Sequence, residues 1–166
     1  MKKALLATVL VASVGYGGWR LAHRGGDAVV TDDAKLALDR LWIDHMPRNE
    51  RDIFQVFAAL TEEEFGVFQA TSTWKGSFEL FTFKTAGDGI KATFPQDGDK
   101  QSIKLKAKPC SENQMDYCME VEGTNRGVKR YYSRKGWEID SAASAKDLAA
   151  RTEAITHELT ANLPAE

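Results

Sequence analysis

Eight stretches of this chain alternate between apolar and polar side chains with a period of two, which is the pattern of strands with one buried face. They cover residues 53–60, 64–74, 77–84, 89–94, 102–108, 117–122, 127–133 and 136–140. Turn-forming residues separate them, such as Lys75-Gly76, Gly87-Asp88 and Asp97-Gly98-Asp99. Parallel strands need crossovers of about a dozen residues, so these short connections favour antiparallel neighbours. The sequence therefore predicts an antiparallel β-meander of six to eight strands.

A helix is expected on each side of this meander. Thr31, Asp32 and Asp33 provide oxygen side chains for a helix start, and Ala34, Leu38, Leu41, Trp42 and His45 follow at helical spacing before Pro47. Ser141 or Ser144 caps a last helix that reaches Asn162 and carries Leu148, Ile155 and Leu159 on one side. We predict an α+β fold in which a curled sheet or small open barrel has an N-terminal and a C-terminal helix packed on it.

The first 26 residues are typical of an export signal. Two lysines precede an uncharged stretch, residues 4–18, and two arginines follow it. Ser13-Val14-Gly15 is the best cleavage site, although it is weaker than Ala-x-Ala. Uncut, residues 4–22 would form a helix of about 28 Å, which nearly matches a bilayer core of about 30 Å. Residues 1–26 are thus either a cleaved signal or an uncleaved membrane anchor with a short linker.

Either outcome places the remainder, residues 27–166, outside the cytoplasm as a single periplasmic domain. If the anchor is retained, the domain faces the periplasm from the inner membrane. If it is cut, the domain is soluble in the periplasm or secreted.

Two cysteines fit an oxidising compartment. Cys110 and Cys118 flank a polar loop, and the residues on each side of it alternate like strands. We expect a disulfide that closes a hairpin. If the cysteines lie directly opposite each other, Lys108 faces Glu120 and Lys106 faces Glu122. Two cysteines without neighbouring histidines do not supply four metal ligands, so we expect no metal site and no cofactor.

A basic segment with interleaved aromatics follows the hairpin. Its candidate ligand-binding or partner-binding residues are Arg126, Lys129, Arg130, Tyr131, Tyr132, Arg134, Lys135 and Trp137. Outside the cytoplasm, lipid headgroups or an acidic envelope protein are more fitting partners than nucleic acid. The alternative is a strand whose cations pair internally with Glu138, Asp140 and acidic strands.

Aromatic side chains fall on both alternating faces of the segment 64–83. Phe78 and Leu80 point one way, and Phe81 and Phe83 point the other. A sheet of this kind is covered on two sides, either by a core and a helix or by a core and a ligand or partner.

No residue pattern indicates catalysis. His23, His45 and His157 are not accompanied by a nucleophile and an orienting group. The polar segment 44–52 could supply acid/base groups in Asp44 or Asp52, and its alternative is a solvated turn with ion pairs. We therefore expect a non-catalytic cell-envelope protein that binds an apolar or anionic amphiphile, such as a lipid. A membrane-anchored protein that docks on an envelope complex is the alternative, and an enzyme of unknown class is the third.

Overall fold

Eight antiparallel strands follow one another in sequence order and close into a barrel. The computed structural model describes residues 29–72, 76–161 and 163. The strands are β1 (Trp42–Ile43), β2 (Phe54–Leu60), β3 (Phe65–Thr71), β4 (Gly76–Ala86), β5 (Gly89–Thr93), β6 (Lys100–Pro109), β7 (Tyr117–Glu122) and β8 (Arg130–Ser133). Helix α1 (Asp32–Ala37) precedes them and α2 (Ala145–Thr160) follows them. The predicted meander is confirmed, and pairing of Ile43 with Tyr132 closes it fully.

Helix α1 is shorter than the spacing of its apolar residues predicts. Thr31 caps it as expected, because its side chain accepts a hydrogen bond from the backbone of Ala34. The expected continuation to Pro47 is wrong. Asp39 adopts a positive φ of 52° that ends the helical path, and Trp42 then enters the barrel wall as part of β1. Burial of Trp42 in a closed barrel outweighs the local helical pattern.

Seven of the eight alternating segments form strands, and the segment 136–140 does not. Gly136 has a positive φ of 83° and turns the chain away from β8. The following residues instead line up with the short stretch before β1, through the bridge between Arg40 and Glu138 and the bond from the Leu41 N–H to the Trp137 carbonyl at 2.9 Å. The prediction of an eighth strand at this position is therefore wrong.

Aromatic side chains fill the inside of the barrel. Phe57, Phe81, Phe94 and Tyr131 are at most 1% exposed. The ring centroid of Phe68 lies 5.1 Å from that of Phe57 and 5.3 Å from that of Phe81. Aromatic pairs at such distances add stabilisation to the burial of their area. The barrel is thus built around a packed core.

The two ends of the barrel are closed differently. At one end α1 packs against β6, and the Thr31 N–H donates to the Gly87 carbonyl in the β4–β5 turn at 3.0 Å. At the other end Arg126 lies over the ring of Phe94 and forms ion pairs with Glu79 and Asp97.

Helix α2 lies on the outside of the barrel. Ser144 caps it in a capping box with Asp147, whereas Ser141 donates to Glu62. Of the two predicted caps, Ser144 is therefore correct. Leu148, Ile155 and Leu159 are buried along one stripe, as predicted, and pack on apolar side chains of β1, β2 and β3.

The hairpin of β6 and β7 carries the predicted disulfide between Cys110 and Cys118, with Cα atoms 5.7 Å apart. The predicted register is wrong by two residues. In the ladder Lys108 lies opposite Cys118, Lys106 lies opposite Glu120 and Lys104 lies opposite Glu122. The Cys110 N–H donates to the Asp116 carbonyl, so the disulfide joins diagonal neighbours. Each side chain keeps its predicted face, because a shift of two residues preserves the alternation.

The predicted export signal or membrane anchor, residues 1–26, lies outside the described residues. Within the part of the chain that the structure describes, no helix has the length and apolarity needed to cross a membrane.

Candidate functional site

A groove of about 680 Å³ lies between α2 and the outer faces of β3 and β4. The apolar part of its floor consists of Phe65, Val67, Phe78 and Leu80, which all point away from the barrel interior, and Gln69, Thr71 and Ser72 add a polar part. Val67 lies directly opposite Leu80 in the ladder, and Gln69 lies opposite Phe78. The groove is therefore a mainly apolar strip on two adjacent strands with a helix along one side.

The alternation of β4 creates this floor. Phe81 and Phe83 are buried inside the barrel, at 1% and 3% exposure, and their neighbours Phe78 and Leu80 point outward. Helix α2 covers the outer face of β1, β2 and part of β3 but leaves Phe78 67% exposed. Of the two predicted kinds of cover, helix cover is therefore present and incomplete.

The helix wall of the groove is lined by small residues. Ala145, Ala149, Thr152, Thr156 and Thr160 form a stripe beside the buried stripe of Leu148, Ile155 and Leu159. Each threonine hydroxyl donates to the carbonyl four residues earlier, at 2.8 to 2.9 Å. Because these donors are satisfied within the helix, the wall does not require a polar ligand.

Charged side chains stand at the rim. Lys146 lies in the first turn of α2, and Glu153 and His157 lie further along the helix. The start of α2 is already capped by Ser144 and Asp147, so a carboxylate of the protein occupies the positive end of this helix. Leu148 packs near Phe65 and Leu80, so the Lys146 end of the groove is the end where β3 begins. Lys146 is therefore the group at this end that could attract an anion.

The structure does not bring the predicted binding residues of the basic segment to one surface. Tyr131 lies inside the barrel, where its hydroxyl accepts from the Val128 N–H, and burial raises its pKa. Tyr132 and Trp137 are buried in the cluster that includes Ile155 and Leu159. These three aromatics belong to the packing of the domain.

The cations of that segment are also dispersed. Arg130 pairs with Glu112 at 2.6 Å, and the Arg134 guanidinium lies 5.7 Å from the Trp137 ring centroid. The pKa of Arg126 is raised mainly by its hydrogen bond to Glu79 and, to a smaller extent, by its hydrogen bond to Asp97. Lys129 and Lys135 are exposed. Binding of a ligand or partner by these residues stays a prediction.

His45 is held between two carboxylates in the β1–β2 connection. Its Nδ1 lies 2.9 Å from Asp44 and its Nε2 lies 3.5 Å from Asp52. Asp44 also accepts from the Gln55 N–H, and a hydrogen bond from Arg48 lowers the pKa of Asp52. These contacts fix the connection in the manner of an ion-paired turn. Among residues 29–72 and 76–161, no group of His, Cys, Asp and Glu is arranged to hold a metal.

No protein-family model matches this chain, and comparison with curated proteins and with solved structures gave no match either.

Sequence reasoning missed the helix wall of the groove. Its signal is the stripe of alanines and threonines three and four residues apart, next to the stripe of Leu148, Ile155 and Leu159. That signal acquires meaning only once the position of α2 on the barrel is known.

Proposed function

We propose that this protein is a non-catalytic binding module of the cell envelope that holds the apolar chain of an amphiphile in the groove between α2 and β3–β4. The observation that carries the proposal is an open apolar groove beside a barrel whose own interior is filled by aromatic side chains. A groove of about 680 Å³ lies within the range of small-molecule sites, which is about 300 to 1,000 Å³.

The chemistry of the groove favours an apolar chain over a polar ligand. Val67, Leu80 and Phe78 present carbon atoms on the floor, and the hydroxyls of Thr152 and Thr156 are bonded within α2. Each methylene that such a surface removes from water contributes about 0.8 kcal/mol. Binding is therefore driven by burial of a chain.

Lys146 gives the groove a polarity along its length. An acidic headgroup would pair with Lys146 itself, because Ser144 and Asp147 already cap the N-terminal end of α2. The ligand class that fits best is a fatty acid or a lipid with an anionic headgroup near the acyl chain.

A second candidate function is docking of a partner protein in the same groove. The 67% exposure of Phe78 favours it, because large exposed apolar side chains mark interaction surfaces. The partner would be an amphipathic helix of an envelope protein, whose apolar side fills a groove of this kind.

A matched pair of substitutions tests the lipid proposal. Ala149→Trp places a large side chain in the groove, whereas Ala154→Trp places the same side chain on an exposed position of α2 that does not line it. The full-length protein is incubated in phosphatidylcholine vesicles with a photoreactive palmitic acid analogue and irradiated. Crosslinked peptides are then mapped by mass spectrometry.

Wild type and Ala154→Trp should crosslink within residues 65–71, 76–80 and 145–157, and Ala149→Trp should lose most of this signal. Crosslinks that occur elsewhere, or that persist unchanged in Ala149→Trp, would refute lipid binding in the groove. Crosslinking of the groove to a second protein in native membranes, without the fatty acid product, would support docking instead.

A further inference from the structure

Lysines cover the outer side of β4, β5 and β6. This lysine face consists of Lys84 on β4, Lys91 on β5 and Lys104, Lys106 and Lys108 on β6, which are all exposed. The intervening residues of β6 point into the barrel, and Ile103 and Leu105 are at most 1% exposed. The charge on the face thus follows directly from the alternation of the strands.

Three of the five lysines are not neutralised by a neighbour. Lys104 pairs with Asp88 at 3.0 Å, and Lys106 pairs with Glu122 at 2.8 Å. Lys84 lies directly opposite Lys91 in the β4–β5 ladder. Like charges in that position are destabilising. Within residues 29–72 and 76–161, no carboxylate pairs with Lys84, Lys91 or Lys108, so the face carries excess positive charge.

The described part of the chain begins beside this face. The Thr31 N–H donates to the Gly87 carbonyl, and Gly87 lies in the turn between Lys84 and Lys91. Eight residues, 23–30, separate Thr31 from the apolar stretch 4–22. Such a linker reaches at most about 28 Å. A bilayer that holds the apolar stretch would therefore lie within reach of the lysine face.

We propose that the lysine face docks on the surface of a bilayer that contains anionic phospholipids. The unpaired charges of Lys84, Lys91 and Lys108 complement an anionic surface, and each lysine at such a surface increases membrane partition by about fivefold. The outer side of β4 continues from Lys84 to Leu80 and Phe78, so docking would also place the groove beside the bilayer. The proposal stands without a ligand in the groove.

Lysine acetylation of the full-length protein in vesicles tests this docking. The protein is reconstituted in phosphatidylcholine alone, or in phosphatidylcholine with about one third phosphatidylglycerol. Acetylation rates at each lysine are read by mass spectrometry. Lys129 and Lys135 are exposed controls near β8, which is two strands from β6 around the barrel.

We expect the rates at Lys84, Lys91 and Lys108 to fall at least about fivefold in the anionic vesicles, with changes of less than about twofold at Lys129 and Lys135. Equal rates in the two vesicles, or a uniform decrease at all five lysines, would overturn the proposal.

A double variant separates docking by this face from docking by another. Lys84→Glu/Lys91→Glu should restore the acetylation rate of Lys108 in anionic vesicles, and the matched variant Lys129→Glu/Lys135→Glu should leave Lys108 protected. Protection of Lys108 that survives Lys84→Glu/Lys91→Glu would contradict the assignment. Circular dichroism checks that both variants remain folded. Equal protection of Lys84, Lys91 and Lys108 by added soluble polyphosphate in phosphatidylcholine vesicles, with no effect of phosphatidylglycerol, would identify a soluble polyanion as the ligand and refute membrane docking.

Discussion

The guanidinium carbon of Arg126 lies 4.0 Å from the centre of the Phe94 ring. Phe94 belongs to the aromatic core, whereas Glu79 and Asp97 pair with the outer edge of the same guanidinium. Arg126 therefore connects the core to the acidic residues around one end of the barrel. Its side chain is only 13% exposed, whereas the side chain of Arg130 is 45% exposed.

Replacement of Arg126 by Met should lower the free energy of unfolding by about 1 to 3 kcal/mol, because two carboxylates lose their cation and Phe94 loses its cover. The control is Arg130→Met. Arg130 pairs with Glu112 while both side chains are about half exposed, so the expected loss is below about 1 kcal/mol. Urea denaturation compares the two variants. Equal losses of stability would contradict the claim that Arg126 connects the core to the acidic residues at this end of the barrel.

Acid should weaken the same end of the barrel. Hydrogen bonds from the Asp99 N–H, and next from Arg126, lower the pKa of Asp97 below its ordinary value of 3.8. A carboxylate with a lowered folded pKa contributes stability that is present above its ordinary pKa and lost as pH falls through the folded pKa. The stability difference between wild type and Asp97→Asn should therefore shrink below about pH 4. A difference that stays constant from neutral to acidic pH in urea titrations would refute this linkage.

Gly66 allows Phe81 to pack inside the barrel. A methyl group at Gly66 would lie 2.3 Å from Cζ of Phe81 and 2.6 Å from the Ala58 carbonyl oxygen. Gly66→Ala should therefore destabilise the protein by about 1 to 3 kcal/mol, since the core has no room for the group. Gly76→Ala is the matched control, because the nearest atoms to its methyl group lie 3.9 Å away. Thermal unfolding should show a lower midpoint for Gly66→Ala only.

The disulfide should stabilise the β6–β7 hairpin through the unfolded chain. Eight positions separate Cys110 from Cys118, and a loop of this size corresponds to about 2 to 3 kcal/mol in the chain-entropy model. Cys110→Ser/Cys118→Ser should lose about this amount in denaturant titrations. The stability of the variant should not change with reductant. The reduced wild type should become about as unstable as the variant. A wild type that is unaffected by full reduction would contradict the expectation.

Most of the fold could be predicted from the sequence, because the barrel strands carry their inward and outward faces in their own alternation. Ile103 and Lys104 illustrate this, as do Phe81 and Thr82. Strand β1 could not be predicted. It contains only two residues, Trp42 and Ile43, and the spacing of Trp42 from Leu38 is that of a helix. Only closure of the barrel, which is a long-range event, selects the extended form.

For the groove and the lysine face, too, the local pattern could be predicted and the long-range arrangement could not. The lysines of β6 were visible as one row, but their proximity to Lys84 and Lys91 depends on the β4–β5 and β5–β6 ladders. Likewise, the residues that line the groove come from α2 and from β3–β4, which are separated by more than sixty residues in sequence. Local patterns determined which side chains point outward, whereas the topology determined which of them meet.

Native mass spectrometry of the full-length protein, released directly from membrane vesicles, tests the central claim of an amphiphile in the groove. We predict a one-to-one adduct of lipid mass on wild type and on Ala154→Trp, and its loss from Ala149→Trp. All three proteins have the same N-terminal segment, so a lipid bound to that segment would appear on all of them. Only a lipid in the groove would be lost from Ala149→Trp. A bare mass for wild type, or the same adduct on all three proteins, would contradict the account.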